Sequence, residues 1–306
     1  MMKRILIPLD GSTLAEAALP FGASIARATG ATIEVVHIIE APALIDLPTS
    51  QLIPDPTRVH AYLHDTAERV IPGVAVESWV RAGDAVDELI SHAAEQPESM
   101  IVMATRGRGG LGRLVLGSVA DKVVRLSTTP VGLVRPVEGE AVGAADIRSI
   151  AVALDGSETA EQGLAIAVDF AKTAGAALHL IEVVEPVWAS PYIAASPDML
   201  AVNVNQLTEL QMLAEDDART YLGATAERLR AETPGMSVDW AMRVGRAAEE
   251  IDRVAVEANA DLIVVTSHGR SGIRRFVLGS VTTGLTQIAS RPLIIVPATT
   301  AQDADE

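Results

Sequence analysis

Short apolar runs alternate along this chain with longer stretches in which apolar residues return every three or four positions. That alternation reads as strands followed by helices. In the first half, Arg4–Leu9 is a short buried-type strand. Thr13-x-x-Glu16 reads as a capping box opening a helix that ends near Gly30. Ala31–Ile38 is a second strand, Pro42 to Pro56 a proline-rich loop, Arg58–Val70 a helix and Val74–Val80 a half-buried strand. Gly83-Asp84 starts a helix over Ala85–Ala94. Met100–Ala104 is a strand, Gly107–Gly117 a glycine-rich loop, Ser118–Leu126 a helix and Val131–Val134 the last strand.

The second half repeats this order. Its strands are Ile150–Leu154, Ala177–Val184, Ser237–Met242, Leu262–Val265 and Leu293–Val296. Its helices are Thr159–Ala174, Leu207–Arg230, Ala247–Asn259 and Ser280–Ala289. The repeat is also literal. Ile5–Leu19 and Ile150–Leu164 share eight of fifteen residues at an offset of 145, and Val115–Val119 recurs unchanged as Val277–Val281 at an offset of 162. The seventeen extra residues fall between the second and third strands, in a longer loop (Trp188–Asn205) and a longer helix. Glu138 to Asp146 is polar and unpatterned and reads as a linker. The expected domains are therefore 1–137 and 147–298, with a frayed acidic tail.

Strands alternating with helices imply α/β domains: two in tandem, flavodoxin-like or Rossmann-like, each a five-stranded parallel sheet with helices on both faces. The order 3-2-1-4-5 puts a switch point between strands 1 and 4, where such sheets bind ligands. The strand ends there are Asp10 and Ala104 in one half, Asp155 and Thr266 in the other.

Composition narrows the chemistry. Apolar residues make up 49% and aromatics only 3%, so Ala, Val, Ile and Leu must fill the core. There is no cysteine, which excludes disulfides, thiol catalysis and cysteine metal sites. Lysine occurs only at positions 3, 122 and 172. A net charge of −16 argues against nucleic acid as a partner. The start shows no signal-peptide pattern and no run suits a membrane helix, so a cytoplasmic protein with no membrane association is expected.

Asp10-Gly11-Ser12 recurs as Asp155-Gly156-Ser157 at the end of strand 1. Such an Asp can accept bonds from a sugar hydroxyl or an amino group. It can also cap the following helix, as can the Ser or Thr after it, but repetition at the switch point favours a ligand. After strand 4 comes Ala104-Thr-Arg-Gly107, nine residues, then Gly117-Ser118. The matching stretch is Thr266-Ser-His-Gly269, nine residues, then Gly279-Ser280. Glycines let N–H groups approach an anion, and Ser118 and Ser280 sit at helix N-termini that favour phosphate. Arg106, Arg108 and Arg113, and His268, Arg270, Arg274 and Arg275, add positive charge. The alternative is a long loop with a capped helix. Gly107 to Gly112 also matches G-x-G-x-x-G, but it follows the fourth strand and Ser271 breaks it in the second half, so no nicotinamide or flavin site is read there. His60 and His64, four apart, could share a face as metal ligands, but no equivalent pair occurs in the second half and a solvated helix face is expected. No Ser/His/Asp set has motif support. Trp188, Pro191, Tyr192 and Ile193 form an apolar loop patch.

In Asp10/Asp155, in the G-x-x-G-x9-G-[ST] pattern and in Thr129-Pro130-Val131 and Arg291-Pro292-Leu293, the chain resembles a tandem universal stress protein. The resemblance covers nearly the whole chain. It implies ATP (or ADP or AMP) with Mg, held by Pro8, Asp10, Ala104, Arg106, Gly107, Arg108, Gly110, Gly117 and Ser118 in the first half. In the second it implies Ala153, Asp155, Thr266, His268, Gly269, Arg270, Gly272, Gly279 and Ser280. It also implies a homodimer or internal pseudo-dimer through the last strands, and a regulatory role with at most slow ATP hydrolysis. A ligand-free self-associating module is the alternative. The chain departs from the pattern at the first glycine, which is Ala104 in one half and Thr266 in the other. β-branched Thr266 should narrow its turn, so the first half is expected to bind at least as well as the second.

Overall fold

We describe a computed structural model over residues 2–40, 55–96, 98–105, 116–136, 146–187, 204–269 and 278–298. The first half runs β1 (Arg4–Pro8), α1 (Thr13–Glu16), α2 (Ala18–Thr29), β2 (Thr32–Ile39), α3 (Pro56–Val70), β3 (Val76–Ala82), α4 (Ala85–Ala94), β4 (Ser99–Ala104), α5 (Ser118–Leu126) and β5 (Val131–Val134). The second runs β6 (Ser149–Leu154), α6 (Glu158–Ala174), β7 (Ala177–Val184), α7 (Val204–Glu232), β8 (Val238–Val244), α8 (Ala247–Glu257), β9 (Leu262–Thr266), α9 (Ser280–Ile288) and β10 (Leu293–Val296). The expected linker, the proline-rich loop, the Trp188 patch, the tail and most of each glycine-rich loop lie outside the described residues.

Each half carries a parallel sheet in the order 3-2-1-4-5. The two join into one ten-stranded sheet, β3-β2-β1-β4-β5-β10-β9-β6-β7-β8. The joint is antiparallel, with Ile294 opposite Gly132 between Leu293–Leu133 and Ile295–Val131. Both last strands are therefore taken up inside the chain as an internal pseudo-dimer, and neither is left as an edge for a second copy. The edges are β3 and β8, blunted by Glu77 and Arg81 and by Asp239 and Arg243.

Apolar side chains alternate between the two faces of the sheet. On one face Ile5, Ile7, Val35, Ile150 and Val152 pack under α2, α3, α6 and α7; on the other Leu6, Val36, Ile101, Ala151 and Ile263 pack under α4, α5, α8 and α9. Both cores run through both halves: on one face α2 and α6 meet across the joint, and on the other Val131, Leu133, Leu293 and Ile295 of the last strands carry the core across.

Two details depart from the sequence reading. The first helix is broken at Ala17. Pro20 lacks the N–H that would meet the Glu16 carbonyl; at the matching place the second half has Ala165, and α6 runs unbroken. The capping box at Thr13 is also one residue out of register. Ser12 is the N-cap, its Oγ accepting from Ala15 N at 3.2 Å, and Ser157 does the same for Ala160 N at 3.1 Å. Glu16 binds Arg69 instead.

Candidate functional site

The turn after strand 1 is built alike in both halves. Asp10 Oδ1 accepts from Ser12 N at 2.9 Å and from Ser12 Oγ at 2.6 Å; Asp155 Oδ1 accepts from Ser157 N at 3.1 Å and Oγ at 2.6 Å. The glycine between takes a left-handed φ, 86° at Gly11 and 75° at Gly156. Each Asp thus holds its own loop with one oxygen and stands at the mouth of the switch point. Capping belongs to the serine.

Across the switch point, β4 ends at Ala104 and β9 at Thr266. Gly117 and Gly279 are the N-caps of α5 and α9, and neither helix start has a side-chain cap. The N–H groups of that first turn, with the dipole behind them, face the strand ends, a setting that suits an anion. Gly279 is locked in place by its N–H to Ser267 O at 2.8 Å. A Cβ there would lie 3.3 Å from that oxygen. A Cβ at Gly269 would run into Asp155 Oδ2, so the loop backbone lies against the aspartate.

Thr266 has its methyl accommodated on the side of α6. Its Cγ2 lies where a Cβ on Gly163 of α6 would come within 2.8 Å. The first half places Ala18 and Ala104 at the same two positions. One methyl has moved from helix to strand. Thr266 Oγ1 donates to His268 O at 2.9 Å, and Thr282 Oγ1 donates to Thr266 O at 2.7 Å.

In the second half these parts surround a cleft of about 710 Å³, within the usual range for a small-molecule site. Ala153, Asp155, Thr266, Gly269, Gly279 and Ser280 line it, as do Glu182 and Val183 of β7 and Ala218 and Tyr221 of α7. His268 lies beside it. Pro8, Asp10, Ala104, Gly117 and Ser118 take the corresponding places in the first half. Arg106, Gly107, Arg108, Gly110, Arg270 and Gly272 lie outside the described residues.

A further duplicated set borders each site. Tyr221 donates to Glu161 Oε1 at 2.5 Å and Arg228 reaches Glu161 Oε2 at 2.9 Å. Burial, then the Glu161 carboxylate, push the Tyr221 hydroxyl above its ordinary range. In the first half Arg69 reaches Glu16 Oε2 at 2.7 Å. Burial, then the Glu16 charge, raise Tyr62, which also lies against Gly11. The signal was in the sequence: Tyr62-Leu63-x-x-Thr66-Ala67-Glu68-Arg69 recurs as Tyr221-Leu222-x-x-Thr225-Ala226-Glu227-Arg228, at an offset of 159.

The histidines divide. His60 Nδ1 lies 2.9 Å from Ser78 Oγ on an exposed face. His92 is buried, with Nε2 2.8 Å from Glu34 Oε2, away from the strand ends. Burial lowers the basicity of His268, whose Nδ1 is 3.2 Å from Ser267 Oγ. A histidine held neutral in the fold takes up a proton more readily once unfolded, so the stability it contributes is present above about pH 6.5 and is lost on acidification below it. Thermal melts from neutral to mildly acidic pH should therefore fall less steeply for His268→Gln than for the parent; equal slopes would contradict this.

A tandem α/β sheet with a matched uncapped helix start and aspartate at each switch point defines a duplicated protein of the doubly wound class with a candidate ligand site in each half. The model of the universal stress protein family matches residues 1–135 and again 146–297. The chain belongs to the universal stress protein family. It is 28% identical over 309 residues to a universal stress protein of Mycolicibacterium smegmatis, covering 95% of this chain and 96% of that one. It is 26% identical over 308 residues to one of Mycobacterium tuberculosis H37Rv, with the same coverage. Among solved structures it resembles a universal stress protein from Archaeoglobus fulgidus, with a TM-score of 0.71, 23% identity and coverage of 97% of this chain and 98% of that chain. That likeness speaks to the fold.

Proposed function

We propose that this chain is a cytoplasmic regulatory protein that holds ATP at the β1/β4 and β6/β9 switch points of two domains, 1–137 and 147–298. The observation that carries this reading is the cleft over Asp155, closed at one end by the uncapped start of α9 at Gly279-Ser280. A triphosphate suits the helix start and the glycines, and a ribose hydroxyl suits the aspartate. The proposed contacts are the residues named from the sequence, now with Tyr62 and Tyr221 beside them. With Gly163 taking up the Thr266 methyl, the reason for ranking the second site below the first is removed, and both are expected to fill. Among the described residues no group of three or more His, Asp or Glu could hold a metal ion, so magnesium would arrive with the phosphates. No lysine lines the cleft, which favours holding ATP over rapid turnover. No helix among the described residues is long and apolar enough to cross a membrane.

The test is to denature freshly purified protein and identify the released nucleotide by chromatography and mass. Close to two per chain is expected. None, even after soaking with ATP and magnesium, would overturn the reading in favour of the ligand-free module.

A further inference from the structure

The two sites match at the phosphate end and differ at the other. In the strand beside each aspartate, one position carries His37 in β2 and Glu182 in β7, at the same offset of 145 as the Asp-Gly-Ser repeat. His37 is tied to the main chain, its Nδ1 donating to Leu9 O at 2.6 Å. A carboxylate has no N–H to give, and its oxygens would repel the matching carbonyl of Leu154. Glu182 pairs in register with Leu154, one residue before Asp155, and its side chain lines the cleft at 5% exposure. The surrounding charge shifts the same way. Asp217 on the α7 wall of the cleft stands where the first half has Arg58, by the 159 offset of the Tyr-Leu repeat.

Sheet order sets what can reach Glu182. Strands β9, β6 and β7 are consecutive neighbours, each roughly 4.8 Å from the next. The helix start that suits phosphate belongs to β9, Asp155 to β6 and Glu182 to β7. Phosphate, sugar and base of one nucleotide span about that distance in that order. On the nucleotide reading the base would then reach the part of the cleft lined by Val183 and Ala218, beside Glu182.

We infer that Glu182 makes the second site selective for a nucleotide whose base presents an amino group, and that the first site, with His37 tied off, lacks this selection. The inference rests on the nucleotide reading above. A carboxylate accepts from an amino N–H and repels a carbonyl oxygen in the same place. A charge-assisted bond of this kind is worth on the order of tenfold to a hundredfold in affinity.

The experiment is calorimetric titration of the intact chain carrying Gly117→Asp, which silences the first site, with ATP and with inosine triphosphate, where a carbonyl replaces the amino group. ATP should bind at least about tenfold tighter. Adding Glu182→Gln, whose amide can donate as well as accept, should bring the two within roughly threefold. Glu182→His, the residue of the first half, should do the same and covers a Gln variant that fails to fold. Equal binding of the two nucleotides before the change, or undiminished discrimination after it, overturns the inference and leaves the nucleotide reading standing. If neither nucleotide binds, both fall.

Discussion

Gly163→Ala will destabilise the protein although it adds a better helix former inside a helix. The new Cβ would stand 2.8 Å from Thr266 Cγ2. That methyl cannot easily turn away: Thr266 is β-branched in a strand, with few rotamers, and turning it breaks the bond from Oγ1 to His268 O. Overpacking of this kind costs about 1–3 kcal/mol, set against a helix-propensity gain of roughly 0.5–1 kcal/mol. The net cost, up to about 2.5 kcal/mol, should lower Tm by a few degrees, at about 2 °C per kcal/mol for a chain of this size. Thr266→Ala on top of it restores the Ala–Ala pairing that the first half uses, and should recover most of the loss. Thr266→Ala alone should be mildly destabilising, because it opens a gap beside a glycine. The four melts form a cycle whose coupling should be favourable by about 1 kcal/mol or more. Additive effects would mean that the two residues do not share the space.

Gly279→Asp should abolish nucleotide binding in the second half at no more than a small cost in stability. Aspartate is among the preferred N-caps and its charge suits the helix dipole, which offsets the crowding of its Cβ against Ser267 O. Its carboxylate, however, occupies the first turn of N–H groups that phosphate would use and adds like charge to the site. A loss of at least a hundredfold, about 2.7 kcal/mol, is expected by titration. Gly117→Asp should do the same for the first half. With both changes, protein purified from cells should release no nucleotide. Near-parental affinity in either single variant at its own site would show that the ligand does not use the helix start.

Most of the architecture was legible because the period of the apolar pattern changes sharply between strand and helix. Ala85–Ala94, Ser118–Leu126, Ala177–Val184 and both last strands have the bounds the sequence suggests. What was missed depends on partners distant in sequence or on a choice between near-equivalent residues. Ser12 and Thr13 are both good caps, and Glu16 three residues after Thr13 favoured the wrong one; only the presence of Arg69 on another helix shows where Glu16 goes. Thr266 was visible as a departure, but its compensation at Gly163 lies on α6, far upstream. The Tyr62/Tyr221 repeat was hidden by its offset. Fourteen of the seventeen extra residues fall before Tyr221 and three after it, so neither of the two evident offsets aligns it. The whole antiparallel joint follows from two short apolar strands whose pairing within the chain no local pattern states.

That joint has a consequence for access. Because β5 and β10 pair antiparallel, the carboxyl ends of the strands of one half emerge at the end of the joined sheet opposite to those of the other half. The two switch points therefore do not share an end of the sheet. A molecule seated over one switch point therefore leaves the other accessible.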